Sequence, residues 1–325
     1  MRIDPALAAL TADPAPLFGA GEAARRWSEH PAVAPVLVEL AGYGESRVLA
    51  DCPRLLQLGA GGEAAVRFAR LAAAVATRHL AAAPLAAWPW RHFSNGVLHS
   101  VTLAAAGEAS LSLALIDGAA WRAARDPAAP GLAAFQPGSL NAVVVAGAAR
   151  GRILTNRSND PACARIEARP LALAQGTAFA IDGEREALAL EEIDGVLLTL
   201  RLYRSPLCDT PARQYDIASG TLVHQAASGR ADSQAELMMA LLRAMERSDA
   251  APTIAALARK GAPPARWQAL RECLALDSAT GFAALLEVAG QTDDPLCIPA
   301  RKLADSLAAQ HPALARMQEE LLCRV

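Results

Sequence analysis

Phe135-Gln-Pro-Gly-Ser-Leu-Asn-Ala-Val-Val-Val-Ala-Gly147 reads as a turn, then an apolar β-branched run, then a glycine. Two further stretches share this texture: Leu171-Ala-Leu-Ala-Gln-Gly-Thr-Ala-Phe-Ala-Ile-Asp-Gly-Glu-Arg-Glu-Ala187 and Val196-Leu-Leu-Thr-Leu-Arg-Leu-Tyr203. Short runs of this kind, bounded by Gly, Pro and Asn, predict strands. Working outward, the same pattern predicts strands at Val97–Leu103, Ser110–Ile116, Asn141–Ala146, Arg152–Asn156, Ala164–Leu171, Thr177–Ile181 and Ala187–Ile193. Asp194-Gly195 has the composition of a two-residue hairpin turn, and Arg122 to Gly138, with three prolines, reads as a loop. Strands this close together with few helices between them predict an antiparallel sandwich or barrel.

The flanks change period. Gly21–His30 is a short helical candidate, and Gly62–Ala82 is a stronger one, with Val66, Leu71, Val75 and Leu80 near helical spacing and Pro84 as its stop. After Ser233 the chain reads as helices again, at Pro252–Lys260, Ala265–Leu276, Gly281–Ala289, Pro299–Ala309 and Ala313–Leu322. Ser233-Gln-Ala-Glu236 has the form of a capping box ahead of an apolar face made by Leu237, Met238, Leu241, Leu242 and Met245. The successive short helices fit a bundle or a HEAT-like array equally, since no repeated motif is present. The expectation is therefore an α+β chain with an N-terminal helical segment (1–87), an antiparallel β-barrel (88–228) and an all-α C-terminal domain (229–325).

Glycine and strand spacing from Trp90 to Tyr203 resembles the two conserved segments of the cupin superfamily, nearest its cysteine-dioxygenase-like branch. In that family a His-x-His pair precedes the first segment's strand and a further histidine follows the second segment's turn; together they hold iron or another divalent metal. The resemblance places Phe135-Gln136-Pro137 at the pair and Glu186 or Ala187 at the later histidine. Phenylalanine and proline have no donor atom, so the resemblance implies a cupin-like barrel degenerate at its metal-ligand positions, with no cofactor. It also implies a homodimer, since cupin-type barrels commonly pair.

Other side chains have the chemistry to bind a metal or an anion. His92 and His99 in Arg91-His-Phe-Ser-Asn-Gly-Val-Leu-His-Ser100 are seven apart, an odd spacing that puts them on opposite faces of a regular strand unless Asn95-Gly96 is a turn. With His224 or Glu186 they are the set from which a metal site would have to be rebuilt. Thr199, Arg201 and Tyr203 share one face of the last strand, opposite Leu198, Leu200 and Leu202. The simpler expectation has the leucines on the core and the polar set in solvent. The alternative has Arg201 and Tyr203 in a barrel lumen, binding a carboxylate through the guanidinium fork. Gly59-Ala-Gly61-Gly-Glu-Ala64 matches a loose dinucleotide loop but lacks a good preceding strand and a following acid, so helix-starting glycines explain it better.

Composition excludes several classes. Lys plus Arg number 31 against 33 for Asp plus Glu, for a net charge of −2 with no basic cluster longer than a pair, so nucleic acid and anionic membrane surfaces are not expected partners. The six cysteines (52, 163, 208, 273, 297, 323) form no CxxC pair, and no GxSxG nucleophile motif occurs. Without a signal pattern or a long apolar span, reduced thiols in a cytoplasm are the expectation. Three functions remain. The first is a non-catalytic cupin-like protein for small-ligand sensing or protein association, with the C-terminal helices as partner surface and His92, His99, Arg201 and Tyr203 as ligand-binding candidates. The second is a metal-dependent, dioxygenase-like or isomerase-like enzyme using His92, His99 and His224 or Glu186. The third is a scaffold whose helical array does the work.

Overall fold

The computed structural model describes residues 20–82, 88–125, 131–206, 210–226 and 229–322. Among the described residues four α-helices come first: α1 (Ala20–Ser28), α2 (Ala34–Glu45), α3 (Pro53–Gly59) and α4 (Glu63–Ala82). The β region follows with β1 (Arg91–Ser94), β2 (Leu98–Ala106), β3 (Ala109–Asp117), a short helix α5 (Gly118–Ala124), β4 (Leu132–Phe135) and β5 (Ser139–Asn156). It continues with β6 (Ile166–Leu173), β7 (Ala178–Asp182), β8 (Glu186–Arg204), β9 (Ala212–Asp216) and β10 (Leu222–Ala226). Six α-helices follow among the described residues: α6 (Arg230–Ala244), α7 (Ala251–Leu257), α8 (Pro263–Leu276), α9 (Ser278–Gly290), α10 (Cys297–Gln310) and α11 (Pro312–Leu322). The fold is α+β with antiparallel sheets, and no helix among the described residues is long and apolar enough to cross a membrane.

Residues 1–207 and 214–223 make one compact unit and residues 208–213 and 224–325 the other, as far as they are described. In the first unit the main sheet runs β1-β2-β3-β8-β5-β6, with β7 paired to β5. Among the described residues β1 is one edge and β6 and β7, both paired only to β5, make the other, so the sheet is wrapped but not closed. β4, β9 and β10 form a second, three-stranded sheet.

Two of the predicted boundaries are replaced by continuous strands. Asn141–Ala146 and Arg152–Asn156 belong to one 18-residue strand, and the two runs flanking Asp194-Gly195 belong to one 19-residue strand. Asp194-Gly195 is therefore no hairpin. Asp194 pairs with Ala148 and Leu197 with Gly147, which leaves Gly195 (φ 64°) in a bulge. A hairpin turn and a glycine bulge both need a residue at positive φ, so the dipeptide alone does not separate them. Across the bend Gly147 sits at φ 84°, where an added Cβ would lie 1.7 Å from the Val196 carbonyl oxygen. Gly147→Ala is expected to lower stability by at least about 2 kcal/mol in urea unfolding, because it combines backbone strain with a clash against main chain. The predicted Arg122–Gly138 loop likewise contains the end of α5 and all of β4, while 126–130 lies outside the described residues.

One face of the sheet is covered by helices. Leu111, Val143, Val145, Leu200 and Leu202 pack with Leu40, Tyr43, Leu55 and the alanines 65, 69, 72 and 76 of α4 in one buried cluster. Those alanines recur every three or four residues, so α4 offers a flat stripe that approaches the strands closely. Pro53–Gly59 is helix, not the strand that a dinucleotide loop requires, and Gly61 and Gly62 (φ 90° and 72°) form the turn into α4. Farther along the sheet Ile153, Leu173, Phe179, Ile193 and Leu197 make a second cluster.

From Arg230 onward the described residues of the second unit are helical, with a core that includes Met239, Ile254, Leu270, Cys273, Phe282, Leu285 and Val288. α8 packs on α6, α7 and α9, and α10 packs on α9 and α11. α6 begins at Arg230, with Gly229 as its N-cap, so Ser233-Gln-Ala-Glu236 lies inside the helix and is not a capping box. Its expected apolar face is also rotated. Met239 is buried and Leu242 half-buried against the core, whereas Leu237, Met238, Leu241 and Met245 are exposed. Methionine and leucine occur on both sides of this helix, so periodicity alone did not fix which side faces inward.

Candidate functional site

The site is set by strand register. β3, β8 and β5 bring Ser112, Arg201 and Ala142 into one row and Ser110, Tyr203 and Leu140 into the next. Directly paired residues of neighbouring strands share a face. The leucines 198, 200 and 202 face the helices. The opposite face lines a cavity of about 570 Å³ inside the wrapped sheet, bordered by Arg201, Tyr203, Ser100, Ser110, Ser112, Gln136 and Glu186. Leu98, Leu140, Ile181 and Leu188 supply apolar wall. The polar face of β8 thus does not point to open solvent, as the simpler sequence expectation had it. β8 is a central strand covered on both sides, by helices on one and by the fold of its own sheet on the other.

Arg201 is oriented by a short relay. Its Nε–H donates to Thr199 Oγ1 at 2.9 Å, and the Thr199 hydroxyl donates to the Ala114 carbonyl at 3.2 Å. Thr199 is 1% exposed. Among the described residues no carboxylate lies within ion-pair distance of Arg201, and its two terminal nitrogens have no protein acceptor. Burial pulls the guanidinium pKa below its ordinary value, and no acidic neighbour offsets this. The Tyr203 hydroxyl is already committed, donating to the Pro137 carbonyl at 3.1 Å, and burial raises its pKa. Gly138 (φ 126°) permits that approach, since a Cβ there would lie 2.6 Å from Tyr203 Oη. Glu186 Oε2 accepts the Asp182 backbone N–H at 3.1 Å.

The histidines go elsewhere. Asn95-Gly96 is a turn, with Asn95 Oδ1 accepting the Val97 and Leu98 amides and Gly96 at φ 87°. The hairpin pairs His92 with Val101 and His99 with Ser94, so both histidines share the face of Val101, which packs toward the helices. Leu98 and Ser100, the residues on either side of His99, line the cavity instead, which turns His99 away from it. His99 Nδ1 lies 2.8 Å from Ser94 Oγ. His224 is exposed on β10. Among the described residues no group of three or more His, Cys, Asp or Glu is placed to hold a metal. At the positions where a cupin would have imidazoles, Phe135 is buried, Gln136 and Glu186 border the cavity, and Pro137 contributes only its carbonyl. One amide and one carboxylate do not fit the three-imidazole set that the resemblance implies. Cys52, Cys273 and Cys297 are buried, each with its thiol on a backbone carbonyl, and burial raises the pKa of the first two.

Sequence reading missed the lumen serines and the role of Thr199. Ser110-Leu-Ser-Leu113 does alternate polar and apolar residues. A solvent face and a lumen face give the same alternation, however.

The fold and site define the class as an α+β protein with a cavity of mixed polar and apolar lining inside a wrapped antiparallel sheet. No protein-family model matches the chain, and no curated protein matches it. Similar solved structures include a cupin superfamily protein from Desulfitobacterium hafniense DCB-2 (10% identity, 34% of this chain and 81% of that one, TM-score 0.23). Ectoine synthase from P. lautus is also similar (16% identity, 36% and 70%, TM-score 0.23). So is HutD from Pseudomonas fluorescens SBW25 (16% identity, 36% and 56%, TM-score 0.24). A cupin superfamily protein thus stands among the similar structures, and the likeness spans about a third of this chain. It carries neither a substrate nor a metal over to it.

Proposed function

We propose that this protein binds a small carboxylate-bearing molecule in the lumen of its β region, with Arg201 as the anchoring cation, and that it acts by binding and not by metal chemistry. The observation that supports this is a partly buried arginine with no acidic partner among the described residues. A guanidinium withdrawn from water without a counter-charge costs free energy, and a ligand carboxylate would supply two charge-assisted hydrogen bonds in its place. The cavity, about 570 Å³, lies in the ordinary range for small-molecule sites.

The test is a thermal-shift and calorimetric screen of the full chain against short mono- and dicarboxylates, each paired with its uncharged amide. A carboxylate at about 100 times its Kd is expected to add about 2.7 kcal/mol of stability, with no effect from the amide. Arg201→Gln should remove the response. Elemental analysis for Fe, Mn, Ni and Zn runs alongside. Near-stoichiometric metal that vanishes on changing His92 and His99 together to alanine would overturn the proposal.

A further inference from the structure

Taking the lumen as a carboxylate site, we infer that Thr199 is the positioning residue that restricts Arg201 to end-on recognition, so that the ligand is held by the two terminal nitrogens alone. A guanidinium has two edges that can grip a planar anion: the side edge, built from Nε and one Nη, and the end edge, built from Nη1 and Nη2. Thr199 Oγ1 takes the Nε–H at 2.9 Å and so occupies the side edge.

The threonine is itself held in place. Its hydroxyl proton goes to the Ala114 carbonyl at 3.2 Å, which turns an oxygen lone pair toward Arg201. Ala114 and Thr199 are direct cross-strand partners in the middle of the sheet. At 1% exposure no bulk water competes for the hydroxyl, and a β-branched side chain has little χ1 freedom. The fork is therefore fixed before any ligand arrives, which cuts the ordering cost of binding. Ser112, paired with Arg201 at the same register, adds a hydroxyl beside it. The ligand class that fits is an unbranched carboxylate that meets Arg201 head-on, its apolar body against Leu98, Leu140 and Ile181.

The experiment uses the full chain with butyrate as probe and four variants: Thr199→Val, Thr199→Ser, Arg201→Lys and the Val/Lys double. Arginine Nε–H NMR first reads the relay without any ligand. The Arg201 Nε–H signal should be protected from exchange in the parent and in Thr199→Ser, and exposed in Thr199→Val. In calorimetry Thr199→Val should weaken butyrate about tenfold, while Thr199→Ser stays within about threefold. In the Arg201→Lys background the valine change should add nothing, because lysine has no Nε–H to hold and the pair is coupled only through that bond. An equal loss from valine in both backgrounds, or an Arg201 signal that ignores the valine, overturns the role of Thr199. A parent protein that binds no carboxylate overturns the proposed function, while the exchange measurement still decides whether Thr199 orients the fork.

Discussion

Replacing Arg201 with methionine is expected to stabilise the first unit by about 1 kcal/mol and to weaken carboxylate binding at least about a hundredfold. The two effects have one cause. Methionine keeps an unbranched, flexible stem that can fill the space under the guanidinium. It removes a cation that burial already penalises and that no acidic side chain among the described residues compensates. Thr199 loses a donor, but its hydroxyl still satisfies Ala114. The ligand, in contrast, loses both charge-assisted bonds. An arginine kept for structure behaves in the opposite way: its removal destabilises and leaves ligand binding beside the point. Urea unfolding and butyrate calorimetry on the same preparation separate the cases. A loss of more than about 2 kcal/mol in Arg201→Met would show that the guanidinium is part of the fold's own framework, and the carboxylate proposal would fall.

What the sequence disclosed follows from which physical signals are local. The period of α4 is carried by its own residues, and Gly62–Ala82 was read almost to the residue. The helix Ala34–Glu45 was not, because its two glycines and Pro35 weaken the local signal, and its burial comes from packing on β2 and β3. Tertiary contact, not propensity, holds it. In the same way Asp194-Gly195 announced a residue at positive φ but not whether the chain reverses there. Arg201 and Tyr203 were legible as a polar face of a strand. Their lumen position stood only as the alternative, since it depends on where β4, β7 and the bent start of their own strand β8 are laid across them, which no local pattern specifies. The Thr199 relay depends on the Ala114 carbonyl, 85 positions earlier. The reverse holds for His92 and His99: an odd spacing suggested opposite faces, and a turn at Asn95-Gly96 put them on one face, the wrong one for the cavity.

Asp294→Asn is expected to cost the second unit about 3 kcal/mol, and the loss should be strongly dependent on pH. Asp294 and Arg266 form an ion pair whose side chains are only 7% and 11% exposed. Arg266 also donates through Nε to the Ala258 carbonyl at 2.8 Å, and Asp294 Oδ1 accepts the Leu296 amide at 2.9 Å, so the pair ties the end of α7 to the turn between α9 and α10. Asparagine can still accept that amide but leaves the arginine as an uncompensated buried charge. The Arg266 guanidinium hydrogen-bonded to Asp294 holds its carboxyl below the usual aspartate range. The sign follows: a depressed folded-state pKa gives stability that is fully present above the unfolded value, near pH 3.9, and that drains away as pH falls through the folded value. Parent and Asn variant should therefore differ most at neutral pH and converge in acid. Because Arg201 and Asp294 lie in different units and share no partner, their effects should add in a double variant. Each change should then move the unfolding transition of its own unit, so the carboxylate response can be assigned to the first unit without dividing the chain.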